Sequence, residues 1–191
     1  MQYNIPNQIN DGCIQIGLIL RNSIFISKML LNSEVWNSIT KYQLDDMEKV
    51  DRFLLKHTLG AHSKASIEWL HADTGTLNLK SSIQIRRLMY LWHILSRDKS
   101  ELIYRIYQAQ KLSSSVGDWF RIVQADMKEL NINMTDEEIQ GVPKHAFKTF
   151  VKKKVREKFI EHLNSLRNQH SKSKYLDISD LKVADYITDS N

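Results

Sequence analysis

Seven histidines, one pair of adjacent aspartates and a run of evenly spaced lysines are the side chains whose types and spacing could do chemistry. Histidine is the commonest metal ligand. Yet no two of His57, His62, His71, His93, His145, His162 and His170 stand four residues apart, and no His-Glu-x-x-His occurs. His57 and His62 lie five positions apart across Gly60, a spacing that fixes no shared face. The expectation is scattered histidines and no zinc site. Asp45-Asp46 has the composition of a magnesium pair in polymerases and nucleases. In the first turn of a helix, however, acidic residues offset the positive end of the dipole. Adjacent helical residues also point about 100° apart, which suits one shared ion poorly. A structural role is expected. No Gly-x-Ser-x-Gly elbow, Gly-x-Gly-x-x-Gly turn or phosphate-cradling loop is present. No catalytic residue, metal or cofactor is therefore assigned.

The lysines are different. Lys144, Lys148, Lys152 and Arg156 recur every four residues, which on a helix makes one stripe. Lys153, Lys154 and Lys158 widen it, and Phe147, Val151, Val155 and Phe159 flank it. Like charges four apart repel by a few tenths of a kcal/mol per pair, about the size of the attraction between opposite ones. Phosphate is the natural partner, because neutralising it releases counterions; an ordinary solvated face stands beside that reading. The assigned nucleic-acid-binding candidates are Lys144, Lys148, Lys152, Lys153 and Arg156, with Arg86 and Arg87 as a second pair.

Charge placement agrees with this. The chain carries a net charge of +5. Residues 144–174 hold eight lysines and two arginines against two glutamates, whereas residues 175–191 hold four aspartates against Lys182. The remainder is balanced, so the positive excess belongs to one segment.

The elements that must position these residues read as helices. In 191 residues there are only two prolines and six glycines, too few turn residues for a many-stranded fold. The 42% hydrophobic content is enough for a core. The apolar run Cys13 to Leu20 is stopped by Arg21, short of the ~20 residues a membrane span needs. The polar first eleven residues lack a basic region and are not expected to be a signal peptide. One cysteine, Cys13, permits no internal disulfide. An intracellular protein without a membrane partner is expected.

A first helix is expected over 14–31, with Gly17 tolerated or allowing a close helix contact. Residues 33–39 break the pattern. Thr40 and Gln43 make a capping box for a second helix that ends at Gly60. Ser63 is expected to cap a short third helix before the Asp73-Thr74-Gly75 turn. Ser81 or Ser82 opens a fourth, Ser100 a fifth and Asp118 a sixth, with Ser113-Ser114-Ser115 as a loop between the last two. Thr135 and Glu138 form a second capping box on a helix cut short by Gly141 and Pro143. A long helix then covers 144–168, and Ser179 caps a last short one holding Leu181, Ala184 and Ile187. Trp36, Trp69, Trp92 and Trp119 fall among apolar helical positions and are expected as core anchors. The fold expected is an all-α, irregular multi-helix bundle of about seven or eight helices with little or no β. Its parts are a polar tail at 1–13, a helical core at 14–132 and a basic region at 133–191.

Several stretches also resemble a known family in order. Leu20-Arg21-Asn22-Ser23, then Leu30 to Trp36, resembles the region just after the catalytic palm in reverse transcriptases of non-LTR (LINE-type) retrotransposons. Leu44 to Asp51, the step through Leu54, Leu55 and Leu59, Glu68 to Gly75, and Ile85 to Leu91 with Arg86-Arg87 are similar to successive later segments of that region. Gln110 to Trp119 and His170 to Lys174 are similar too, so the resemblance covers about Ile14 to Ile187. It implies a helical thumb and connector that holds a template–primer duplex through its backbone. The family's catalytic Tyr/Phe-x-Asp-Asp motif does not occur: Leu44-Asp45-Asp46 lacks the aromatic. The Cys/His knuckle often found further downstream is missing as well.

The function expected is that of a non-catalytic C-terminal fragment of such a polymerase. Its partners would be RNA or DNA backbone and a palm domain. A helical protein-interaction module and a non-functional element remnant are the alternatives.

Overall fold

The structure is a computed structural model that describes residues 11–37, 39–113, 118–169 and 182. Among them there are eight helices and no strand. Helix α1 is one continuous run of three segments: α-helical Asp11–Leu20, a π-helical stretch Arg21–Ile26, and Ser27–Met29. A 3₁₀ turn, Ser33–Val35, comes next. Then come α2 (Lys41–Leu59), α3 (Ile67–Asp73), α4 (Leu79–Leu95) and α5 (Leu102–Ser113). Helices α6 (Trp119–Glu129), α7 (Asp136–Gly141) and α8 (Lys144–Gln169) complete the series. The all-α bundle expected from the sequence is what forms. The final short helix expected from Ser179, and the loop residues Ser114 and Ser115, lie outside the described residues.

Local chemistry sets most boundaries. Both capping boxes form: Gln43 N–H donates to Thr40 Oγ1 (3.2 Å) while Thr40 N–H donates to Gln43 Oε1 (2.9 Å). Thr135 and Glu138 make the same exchange at α7. Gly60, at φ 59°, closes α2: its N–H reaches His57 O and that of Ala61 reaches Lys56 O, satisfying carbonyls that the helix leaves open. Gly75 (φ 62°) ends α3 with the same pair of bonds, and Asn131 (φ 52°) ends α6 likewise. The Pro143 carbonyl accepts the first bond of α8, from Phe147 N–H (3.0 Å).

Three expected caps move. α3 begins after Ser66 instead of Ser63. α4 begins at Leu79, ahead of both serines, because Leu79 is fully buried and draws the first turn inward. Before α5 the organising side chain is Asp98, whose Oδ1 accepts both the N–H (2.8 Å) and the hydroxyl (2.6 Å) of Ser100.

The chain divides into two compact units, and the boundary at 132 expected from the sequence is not where they part. One unit holds α1, residues 45–78 and the end of α8 from Leu163; the other holds residues 32–44 and 79–162. In the first, Ile14, Leu18, Leu55, Ile67 and Leu70 make the core. Gly17 lets α1 approach α2 closely, since a Cβ there would sit 2.6 Å from Thr58 Cγ2. In the second, α4 is central and packs on the 3₁₀ turn and on α5, α6 and α7. Leu88, Leu91, Val123, Phe147, Val151 and Val155 are all but inaccessible there. Each such side chain contributes roughly 1.5–3 kcal/mol by leaving water. Of the four tryptophans only Trp119 is fully buried; Trp36, Trp69 and Trp92 are half-buried.

Candidate nucleic-acid interface

Helix α8 buries one stripe, Phe147, Val151, Val155, Phe159 and Leu163, at four-residue spacing. The same spacing places Lys144, Lys148, Lys152 and Arg156 on a parallel row, and all four are exposed. With a rise of about 1.5 Å per residue the row is about 18 Å long, turning by about 40° at each step. The buried stripe anchors the helix, so the row's direction is fixed by the core.

What neutralises these cations decides how much charge the row offers. Lys153, Lys154 and Lys158 are tied to neighbours on the same helix: to Glu157 at 4.0 and 3.5 Å and to Glu161 at 2.9 Å. Lys148 and Lys152 have no acidic partner among the described residues. Lys144 Nζ lies 5.9 Å from the centroid of the Trp92 ring, and Trp92 Nε1–H donates to Val142 O (2.9 Å). This joins the first turn of α8 to α4. The row keeps Lys148 and Lys152 uncompensated, with Lys144 against Trp92 at one end and Arg156, exposed but engaged with another group, at the other, while Lys153 is partly compensated.

The second pair divides. Arg87 is 5% exposed, and its Nη1–H donates to Asp126 Oδ2 at 2.6 Å. It is withdrawn as a phosphate ligand: a guanidinium facing a buried carboxylate is needed where it is. Burial pushes the Asp126 carboxyl above the usual range, against the downward pull of Arg87 and Gln84. Arg86 is half-buried and engaged within the fold.

No group of three metal-ligating side chains exists among the described residues. Asp46 pairs with Lys49 at 2.7 Å, but α2 starts at Lys41, so the two aspartates lie beyond its first turn and the dipole role expected of them does not hold. Sequence reasoning missed a buried polar chain in the other unit. Arg21 binds Asp51, His71 Nε2 lies 3.6 Å from Asp51 Oδ2, and His71 Nδ1 meets Thr76 Oγ1 at 2.8 Å. The order carboxylate–imidazole–hydroxyl is that of a nucleophilic relay. Here all of it is sealed: Asp51 and His71 are 0% and 1% exposed, and Thr76 is 8%. It acts as a structural lock. A signal existed, because Arg21 is the one charge between Asp11 and Lys28 in an otherwise uncharged, mainly apolar stretch, and such a residue is rarely buried unless paired.

No family model matches the chain, and no curated protein or solved structure matches it either. No helix among the described residues is long and apolar enough to cross a membrane.

Proposed function

We propose that the chain is a non-catalytic, thumb-like region of the kind found after the palm in non-LTR reverse transcriptases, and that it grips nucleic-acid backbone without reading bases. The observation that carries this is the exposed row Lys144, Lys148, Lys152 and Arg156 on a helix whose adjoining stripe is locked in the core. Lysine at 6 Å intervals, roughly, suits successive phosphates. Such contacts position a duplex but carry no sequence information. The test is duplex binding followed from low to high salt. Affinity falling steeply with salt supports the reading, and no binding at any salt removes it. Primer extension with and without magnesium tests the non-catalytic part; genuine extension by this chain alone would overturn it.

A second reading, a helical protein-interaction module, is favoured by α1. Its outward side chains Ile16, Ile19, Leu20 and Ile24 are 49–62% exposed and uncharged. Exposed apolar patches commonly mark partner sites. Concentration-dependent self-association on sizing, without nucleic-acid affinity, would select it.

A further inference from the structure

The unit that carries the basic row also contains a cleft of about 480 Å³. Its walls come from α4 through Tyr90, from α5 through Ile106, Tyr107 and Gln110, and from α6 through Trp119; Asn37 closes one side. The scaffold is well fixed. Trp119 Nε1–H donates to Glu34 O (2.7 Å), Tyr90 meets the Trp119 ring edge-on at 5.6 Å, and Tyr107 Oη–H donates to Asp136 Oδ1 (2.8 Å).

The lining contains no charged side chain. A second cleft of about 500 Å³ that shares Asn37 differs in this respect. It is lined by Lys41, Lys80, Arg87 and Asp126, with Arg87 answered by Asp126 and Lys80 by Glu129. A charged ligand in the uncharged cleft would lose its hydration and gain no counter-charge. A purely aliphatic ligand would cover polar groups that still need partners. Those groups are specific. The Tyr90 hydroxyl and the Asn37 amide hydrogen-bond to nothing among the described residues. Gln110 Oε1 accepts from Phe120 N–H (3.3 Å), leaving its NH₂ to donate elsewhere. The cleft therefore asks for a flat, uncharged ring system with donors and acceptors on its edge.

A nucleobase has that chemistry. Amide side chains pair with base edges, and unstacked bases settle on aromatic side chains. The volume lies in the range of small-ligand sites, ample for a base with its sugar. We propose that this cleft binds a single unpaired nucleobase of the nucleic acid that α8 holds by its phosphates. The assignment rests on the backbone-binding reading for its source of bases, but not for its chemistry.

Three oligonucleotides test it: a blunt duplex, the same duplex with a three-nucleotide single-stranded overhang, and that overhang made abasic so that its phosphates are unchanged. The expected result is that the natural overhang binds roughly tenfold tighter than the abasic one. Asn37→Leu and Tyr90→Phe should each remove several-fold of that difference while leaving blunt-duplex binding as it was. Equal affinity for natural and abasic overhangs overturns the cleft and leaves backbone binding standing. Free adenosine and uridine, followed through tryptophan emission, form the converse arm. Their binding with no affinity for the blunt duplex upholds the cleft and overturns backbone binding. If neither nucleosides nor any oligonucleotide bind, both fall.

Discussion

The guanidinium of Arg21 holds the carboxylate of Asp51 through two parallel bonds of 2.6 Å, Nε to Oδ1 and Nη2 to Oδ2, across thirty residues of chain. Arg21 is 4% exposed and Asp51 is wholly buried. Removing one partner would leave the other as an uncompensated charge. Asp51→Ala should therefore destabilise the protein by about 3–5 kcal/mol. Replacing both residues, as in Arg21→Met with Asp51→Leu, should cost far less than the single change. Urea unfolding of the three proteins measures this; equal losses for the single and double variants would contradict it.

His71 gives this network a pH dependence. Burial lowers its pKa to about 3, and the nearby Arg21 cation adds to the effect. The Asp51 carboxylate at 3.6 Å would favour an imidazolium, but Arg21 already neutralises it. The unfolded chain takes up a proton at His71 below about pH 6.5, whereas the folded protein does not until about pH 3. Stability from this group is thus intact above pH 6.5 and falls as the pH drops from 6.5 towards 3, by about 1.4 kcal/mol per unit. Melting temperature followed across that window should decline less steeply in His71→Gln. Parallel slopes for the two proteins would show that His71 is not the group responsible.

On α8 the individual lysines should be unequal. Lys148→Ala and Lys152→Ala should each reduce the slope of log affinity against log salt by about one, the signature of one lost phosphate contact. Lys154→Ala should change it less, since Lys154 is held 3.5 Å from Glu157. Arg87→Ala should behave differently again, unfolding the protein more readily by leaving Asp126 buried without its partner. Salt titrations paired with thermal melts separate these cases.

Gly17→Ala probes the contact between α1 and α2. Alanine favours the helix by about 1 kcal/mol, but its Cβ would lie 2.6 Å from Thr58 Cγ2. Threonine is β-branched and stiff in a helix, so it yields little. Overpacking of this kind costs about 1–3 kcal/mol, and a net loss of stability is expected. Adding Thr58→Ala should restore it. A Gly17→Ala protein more stable than the parent would refute the close approach.

How far the sequence was readable depended on the range of the interaction. The Thr40–Gln43 and Thr135–Glu138 boxes and the Gly60 terminus were legible because partners three to five residues apart settle them. The α8 stripe was legible for the same reason: one helix carries both the buried and the basic rows. Arg87 was misread because its carboxylate lies on Asp126, thirty-nine residues on and on another helix. The Arg21 lock and the aromatic cleft are assembled from three or more elements each, so no window of sequence contains them. The division into two units was hidden too, since α2 and α8 each run through both.

Trp92 sits with its ring beneath the ammonium of Lys144 and its N–H on the Val142 carbonyl, at the point where α8 begins. An ammonium drawn towards a phosphate would weaken its hold on that ring, and indole emission responds to such changes in local field. Were α8 to hold phosphates as proposed, Trp92 would stand as a gauge of occupancy at one end of that surface, needing no attached dye.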